Sequence, residues 1–204
     1  MNAQSKDTTT EIHREFFPLL RRDLARYSVK RGGKSFFRNL FVFLDTPGLQ
    51  AILVYRFGFW VNRTIRFPLF RVPLKLAHFL LNKLCIVLWG IHINANAEIG
   101  PGLYLGHFGG ILVGPSRIGA DCNINHQVTI GGRADGVPGN PTIGRGVWIG
   151  AGSIIFGGIH IGDGVTICPL TVVSRSLPPK VMVIGNPMRL LRKEYDNSVQ
   201  RENF

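Results

Sequence analysis

An aliphatic residue recurs at every sixth position through much of the second half of this chain of 204 residues. It is commonly followed by a small or polar residue, most often glycine. The repeated positions are Ile93, Ile99, Leu105, Ile118, Ile124, Ile130, Ile143, Ile149, Ile155, Ile161 and Ile167. A period of six fits neither an α-helix nor an alternating β-strand, but it suits one flat side of a three-sided parallel β-helix. The sequence therefore predicts a mainly β fold in which these side chains stack inside the coils.

The number of repeats sets the expected size of this β-helix. About ten or eleven hexapeptides, at roughly eighteen residues a coil, predict between three and four coils. The period is interrupted at 113–117 and again at 132–141, where glycines and prolines cannot continue a coil. Interruptions of a repeat tend to become loops on one face, so we expect 132–141 to protrude.

The first part of the chain has a different character. Residues 1–90 hold fifteen Lys and Arg against five Asp and Glu, whereas 91–204 hold nine against seven. Segments 47–67 and 73–89 have the spacing of amphipathic helices, and neither has the uncharged apolar stretch of about eighteen residues that a membrane span needs. We predict a basic helical region over 1–90, a β-helix over 91–187 and a tail over 188–204. The first ten residues and those after Tyr195 are expected to be disordered.

Two placements of the basic helices stay open. They pack on the β-helix or a neighbouring subunit, or they lie on a membrane surface, so that 47–89 makes a peripheral membrane contact. A nucleic-acid partner is not expected, because no nucleic-acid motif accompanies the charge. No secretory signal is visible and the three cysteines are far apart, which predicts a protein of the cytoplasm or of the inner membrane face.

Several motifs together resemble a known family. The order "AILVYR", "GIHINANAEIGPGLYLGH", "VTIGG", "PTIGRGVWIGAGSII" and "VIGNPMRLL", over roughly 47–193, is similar to the serine O-acetyltransferase branch of the left-handed β-helix acyltransferases. The motifs "GHFGG" and "IGNP" look closer still to relatives from surface-polysaccharide and capsule pathways. The resemblance implies a left-handed β-helix, a homotrimer with active sites between subunits, acetyl-CoA as cosubstrate and no metal.

Four departures from the serine-specific members favour a different acceptor. His92 stands where the resemblance places the acid that assists the catalytic base, and Gly106 replaces the Asp before that base. Gly139 and Asn140 replace an Arg-His pair that holds serine, and Phe204 replaces the terminal isoleucine that anchors cysteine synthase. We therefore expect an O-acetyltransferase that acts on a sugar or saccharide hydroxyl in polysaccharide biosynthesis, with serine acetylation as the alternative.

His107, in "LGHFGG", is the candidate general base. Neutral histidine suits this task because its pKa lies near neutral pH, and flanking glycines allow close approach of substrate. On these residues alone, a surface histidine on a turn fits equally well; the resemblance implies the base. His126, in "INHQ", either shares that role, binds the acceptor or is structural, and His92 either orients His107, contacts substrate or is structural.

The acetyl-CoA site is predicted from the resemblance. Backbone groups along its arm are expected at Gly131, Gly132, Gly150, Ala151 and Gly152. Cations for its phosphates are expected at Arg175, Lys180 and Arg189.

Two other classes of protein remain as alternatives. His107, His126 and His160 could suggest a zinc hydrolase on the same β-helix, but the close pair of ligands typical of such enzymes is absent. A non-catalytic scaffold that docks on a membrane or partner through its basic helices is the other, and the retained His107 and coil glycines argue against it.

Overall fold

The computed structural model describes residues 16–30, 43–107, 109–132 and 139–202. Most of the predicted protruding loop 132–141 and all of the first ten residues lie outside these ranges.

Within the described ranges, the helices before the repeats with defined bounds are α1 (Phe16–Lys30), α2 (Pro47–Thr64) and α3 (Pro68–Trp89). Proline occupies the first helical position of both α2 and α3, where its fixed φ suits a helix and its missing N–H is not needed. Helix α3 ends at Gly90, whose φ of 62° is the left-handed conformation that terminates helices.

Short parallel strands then form the three sides of a β-helix. Side A contains β1 (Ile91–Ile93), β4 (Ile111–Val113), β7 (Thr129–Gly131), β10 (Ile154–Phe156) and β13 (Val172–Val173). Side B contains β2 (Glu98–Ile99), β5 (Arg117–Ile118), β8 (Thr142–Ile143) and β11 (His160–Ile161). Side C contains β3 (Tyr104–Gly106), β6 (Asn123–Asn125), β9 (Trp148–Ile149), β12 (Thr166–Ile167) and β14 (Met182–Ile184), and ends with β15 (Arg189–Arg192), antiparallel to β14.

The repeated aliphatic positions form the core. On side B, for example, Ile99, Ile118, Ile143 and Ile161 are in register on successive strands, and each is at most 2% exposed. The predicted β-helix is therefore confirmed. It has about five coils rather than three to four. The estimate was too low because β13 and β14 continue the coils beyond Ile167, where the six-residue spacing is no longer evident in the sequence.

Helices α1 and α2 cover the first coil. Tyr55 of α2 donates its hydroxyl proton to the Ala97 carbonyl at 2.8 Å and accepts the N–H of Ile99 at 3.2 Å. Tyr27 of α1 accepts the N–H of Leu105 at 2.8 Å. Burial raises the pKa of Tyr55 to about 12, so this hydroxyl keeps its proton at neutral pH. The helices thus satisfy backbone groups that the end of a solenoid would leave unpaired.

The other end of the chain folds back on the coils. A short helix α4 (Ser198–Glu202) follows Asn197, whose buried side-chain amide donates to the carbonyls of Gly146 at 2.9 Å and Gly164 at 3.2 Å. The expectation of disorder after Tyr195 is therefore wrong up to residue 202. Polar composition alone suggested it, and these long-range hydrogen bonds are not visible in local sequence.

Helix α3 places a polar side chain against α2. His78 packs on Gly58 of α2, and its ring lies 6.3 Å from that of Phe57. The opposite, apolar side of α3 is exposed. Among the described residues, α3 is the one helix long and apolar enough to cross a membrane by length and composition, although no such span was expected. The expectation required an uncharged apolar stretch. Helix α3 reaches a mean hydropathy of 1.4 although it contains charged side chains.

Candidate active site

The corner between sides C and A brings the two candidate histidines together. Tyr104–Gly106 pairs in register with Asn123–Asn125, so His107 and His126 occupy the same place on successive coils. Ala151 follows on the next coil, where the N–H of Gly152 donates to the His126 carbonyl at 3.0 Å. We call the corner at which these three residues lie the histidine corner.

The two rings at this corner are in edge contact. Their centroids lie 5.6 Å apart with planes at 83°. His107 is exposed and has a φ of 62°, a left-handed conformation that non-glycine residues seldom adopt and that is often found at functional sites. His126 is half-buried, and its buried Nδ1 has no hydrogen-bond partner within the described ranges. The corner thus presents one accessible imidazole supported by a second, which is an arrangement suited to proton transfer.

Asn125 explains why residue 106 is a glycine. The buried Asn125 side chain donates to the Ile149 carbonyl at 2.9 Å. Its Oδ1 lies only 2.7 Å from the position that a Cβ at Gly106 would take. A carboxylate therefore cannot occupy position 106 unless Asn125 moves. Sequence reasoning missed Asn125, although the coil-to-coil spacing would have placed it directly beside Gly106.

His92 lies on side A rather than at the histidine corner. It is in register with Leu112 and is half-buried. Burial, with a smaller contribution from Lys83, lowers its pKa, so the ring is neutral at neutral pH. Its Nδ1 is buried without a hydrogen-bond partner in the described part of the chain, and the structure records no contact between His92 and His107.

The predicted acetyl-CoA residues are distributed over all three corners. Gly150, Ala151 and Gly152 lie at the histidine corner, between sides C and A. Gly131, Gly132 and Arg175 lie between sides A and B, where Arg175 contacts the Met188 carbonyl next to Arg189. Lys180 lies between sides B and C, where its N–H donates to the Asp163 carbonyl at 2.8 Å. The β-helix of one chain does not bring these groups to one site.

The backbone donors at the histidine corner are partly committed. Gly150 donates its N–H to the Ile167 carbonyl at 2.8 Å, and Gly152 donates to His126. These two N–H groups are therefore not free to bind the amides of a pantetheine arm. An added Cβ at Gly131 would meet nothing within 4 Å, so this position is open to a ligand.

The described residues do not assemble a metal site. No group of three His, Cys, Asp or Glu side chains is gathered among them. His160 lies on β11 of side B, whereas His107 and His126 lie at the corner of sides C and A. The carboxylates of Asp23, Glu98 and Asp121 are bound to arginines elsewhere, so they do not assist His107.

Comparison with known proteins places the chain in a family. A family model described as bacterial transferase hexapeptide, six repeats, matches residues 140–175. A serine acetyltransferase of Helicobacter pylori is 33% identical over 156 residues, which cover 75% of this chain and 86% of that protein. The chain belongs to the serine acetyltransferase family. A relative from Synechococcus elongatus is 34% identical over 155 residues, but the match spans only 60% of its length.

A solved structure agrees with this membership. Serine acetyltransferase from Brucella abortus in complex with coenzyme A superposes with a TM-score of 0.72 at 30% identity. The match covers 92% of this chain and 72% of that one. The predicted hexapeptide-repeat acyltransferase is thus confirmed at the level of family.

The preference for a saccharide acceptor is wrong. The relatives with which the chain shares 33% and 34% identity are serine acetyltransferases, which favours the alternative, serine acetylation. The preference rested largely on family residues that this chain lacks. The loss of a side chain that binds serine in relatives does not show which other substrate is bound.

Proposed function

We propose that this protein is an acetyl-CoA-dependent serine O-acetyltransferase in which His107 is the general base. The edge contact between the exposed His107 ring and the half-buried His126 ring is the observation that carries the proposal. The membership of the serine acetyltransferase family supplies the cosubstrate and the acceptor.

The chemistry needs a single proton carrier. The neutral imidazole of His107 takes the proton of the serine hydroxyl as the oxygen attacks the thioester carbonyl. The new C–O bond gives a tetrahedral oxyanion, which collapses with cleavage of the C–S bond. The departing CoA thiolate takes the proton back from the imidazolium, so the base is regenerated and the products are O-acetylserine and CoA.

The carboxylates of Asp23, Glu98 and Asp121 are held by arginines and do not serve His107. The Asn125 side chain occupies the space beside Gly106, and position 92 holds a neutral histidine. His126 is the polar side chain in contact with the His107 ring, and we infer that it orients this ring.

We further propose that the active unit is a homotrimer. Side A carries an outward row in register, in which Leu112 and Ile154 are 46% and 40% exposed and flank Thr129. A flat side with exposed aliphatic side chains suits packing against the β-helix of a second subunit. Such packing would also bring corners of two β-helices together, so that predicted acetyl-CoA residues from different corners could share one site.

The test is release of CoA thiol from acetyl-CoA in the presence of L-serine. We expect serine-dependent release, and a decrease in kcat of about 10²- to 10⁴-fold in His107→Asn. Asparagine tolerates the left-handed backbone at this position, so the fold is preserved. His160→Asn, on the exposed surface of side B, is the matched control and is expected to keep full activity.

Acetyl-CoA affinity of both variants is measured separately by calorimetry. Intact affinity with unchanged kcat in His107→Asn would show that His107 is not the base. Tight binding of acetyl-CoA with no serine-dependent release in the unmodified protein would reject serine as the acceptor.

A further inference from the structure

Helix α3 has its polarity reversed relative to an ordinary surface helix. One stripe, formed by Arg71, His78, Asn82 and Cys85, is half-buried or buried. His78 and Trp89 contact α2, where the Trp89 Nε1 donates to the Gln50 side chain at 3.1 Å. A surface helix of a soluble protein usually turns its apolar side to the core, whereas α3 leaves most of its large apolar side chains exposed.

The opposite side of α3 is a continuous apolar surface, which we call the outward face. Its aliphatic residues are between 54% and 79% exposed. They are Leu69, Val72, Leu76, Leu80, Leu84 and Val87. At a helical period of 3.6 residues these positions fall on one side of the helix. A contiguous apolar surface of this kind marks an interaction site rather than an ordinary solvent-facing helix.

The charge around the outward face identifies its partner. Residues 46–97 contain six Lys and Arg and no Asp or Glu. Arg66, Lys75 and Lys83 are exposed, and none of them forms a salt bridge within the described ranges. Lys83 lies with its ammonium 5.6 Å from the centre of the Phe79 ring, so its stem covers apolar surface while its charge stays at the margin.

We propose that the outward face of α3 binds the surface of an anionic lipid bilayer, with the helix lying in the interface. Lipid tails accept the aliphatic side chains, and anionic headgroups meet the three exposed cations. A second copy of this chain fits less well, because it would bring the same cations together with no acid in 46–97 to neutralise them. A location in the interface, rather than across the bilayer, follows from the polar stripe and from the packing of α3 along α2.

The experiment is sedimentation of the full chain with vesicles of phosphatidylcholine, with and without phosphatidylglycerol at about one third of the lipid. We expect binding to be at least about tenfold tighter to the anionic vesicles, and to weaken with salt. Leu76→Gln/Leu80→Gln is expected to weaken it at least about tenfold. Leu170→Gln, which changes a leucine that is 73% exposed at a coil corner, is the matched control and is expected to bind as the unmodified protein does.

A charge variant keeps the test decisive if the double leucine variant folds poorly. Lys75→Glu/Lys83→Glu changes exposed residues only, and is expected to abolish the preference for anionic vesicles. Circular dichroism and light scattering are recorded for every variant. Equal binding of the unmodified protein to both vesicle types would overturn the proposal. Absence of vesicle binding by the unmodified protein, together with dissociation of the assembly in Leu76→Gln/Leu80→Gln, would also overturn it, because the outward face would then be a contact between subunits. Retention on vesicles after alkaline carbonate washing would contradict an interfacial location.

Discussion

Arg56 and Asp23 form an ion pair with a distance of 2.8 Å, and the two side chains are only 1% and 0% exposed. Arg56 also donates to the carbonyls of Ile99 at 2.6 Å and Gly100 at 2.7 Å. Asp23 accepts the N–H of Gly102 at 2.7 Å. The pair therefore attaches α1 and α2 to the first coil while every charge keeps a hydrogen-bond partner.

Removal of one partner of this pair should be costly. Arg56→Met leaves a buried carboxylate, so we expect the free energy of unfolding to fall by about 3–5 kcal/mol in urea denaturation. Arg117→Met removes an exposed partner of Glu98 and is expected to cost less than about 1 kcal/mol. In Arg56→Met/Asp23→Leu only part of the loss should return, because the buried backbone groups of Ile99, Gly100 and Gly102 then lack their partners. If Arg56→Met and Arg117→Met lowered the free energy of unfolding by similar small amounts, the buried pair would not hold the helices.

The contact between Gly58 and His78 predicts a substitution that acts against helix propensity. Alanine favours a helix over glycine by about 1 kcal/mol, but a Cβ at position 58 would overlap the His78 ring. We therefore expect Gly58→Ala to lower the melting temperature. In Gly58→Ala/His78→Ala the overlap is gone, and the alanine at 58 should then be neutral or stabilising relative to His78→Ala alone. A lower melting temperature in that comparison as well would disprove the packing of α3 on α2.

The same histidine gives the stability a dependence on pH. Burial lowers the pKa of His78 from its usual 6.5. A lowered histidine pKa means that the unfolded chain binds the proton more readily, so this contribution to stability is complete above pH 6.5 and is lost as the pH falls. Urea unfolding between about pH 7.5 and pH 5.5 should show a smaller loss of stability in His78→Gln than in the unmodified protein. Parallel curves for the two proteins would contradict this.

The close approach of Asn125 to Gly106 predicts a coupled pair. Gly106→Asp forces a side chain against Asn125 Oδ1, and overpacking of this kind costs about 1–3 kcal/mol of unfolding free energy. In an Asn125→Ala background the same substitution has room, so its cost should be smaller. The comparison is a double-mutant cycle followed by urea denaturation. An equal cost in both backgrounds would mean that backbone conformation, rather than Asn125, keeps residue 106 a glycine.

The β-helix was predictable because its signal is local. Each inward position of a coil is occupied by an aliphatic residue that can be recognised from the sequence. Ile99 and Ile118, nineteen residues apart, occupy equivalent inward positions on successive coils. The role of His107 as the base stays a prediction, because it rests on the resemblance of its motif to the family and not on the repeat. Neither the substrate nor the role of the departures at 92 and 106 could be predicted from single positions, since the reason for Gly106 lies in Asn125 on the next coil.

Periodicity determined the class of fold, because a six-residue spacing of aliphatic residues has one economical three-dimensional solution. Tertiary structure alone decided the direction in which α3 faces, the contact of His107 with His126 and the closure of the first coil by Arg56 and Asp23. Amphipathic spacing defines two sides of a helix but does not say which side is covered. That choice depends on the neighbour, and in this protein α2 takes the polar side and leaves the apolar one exposed.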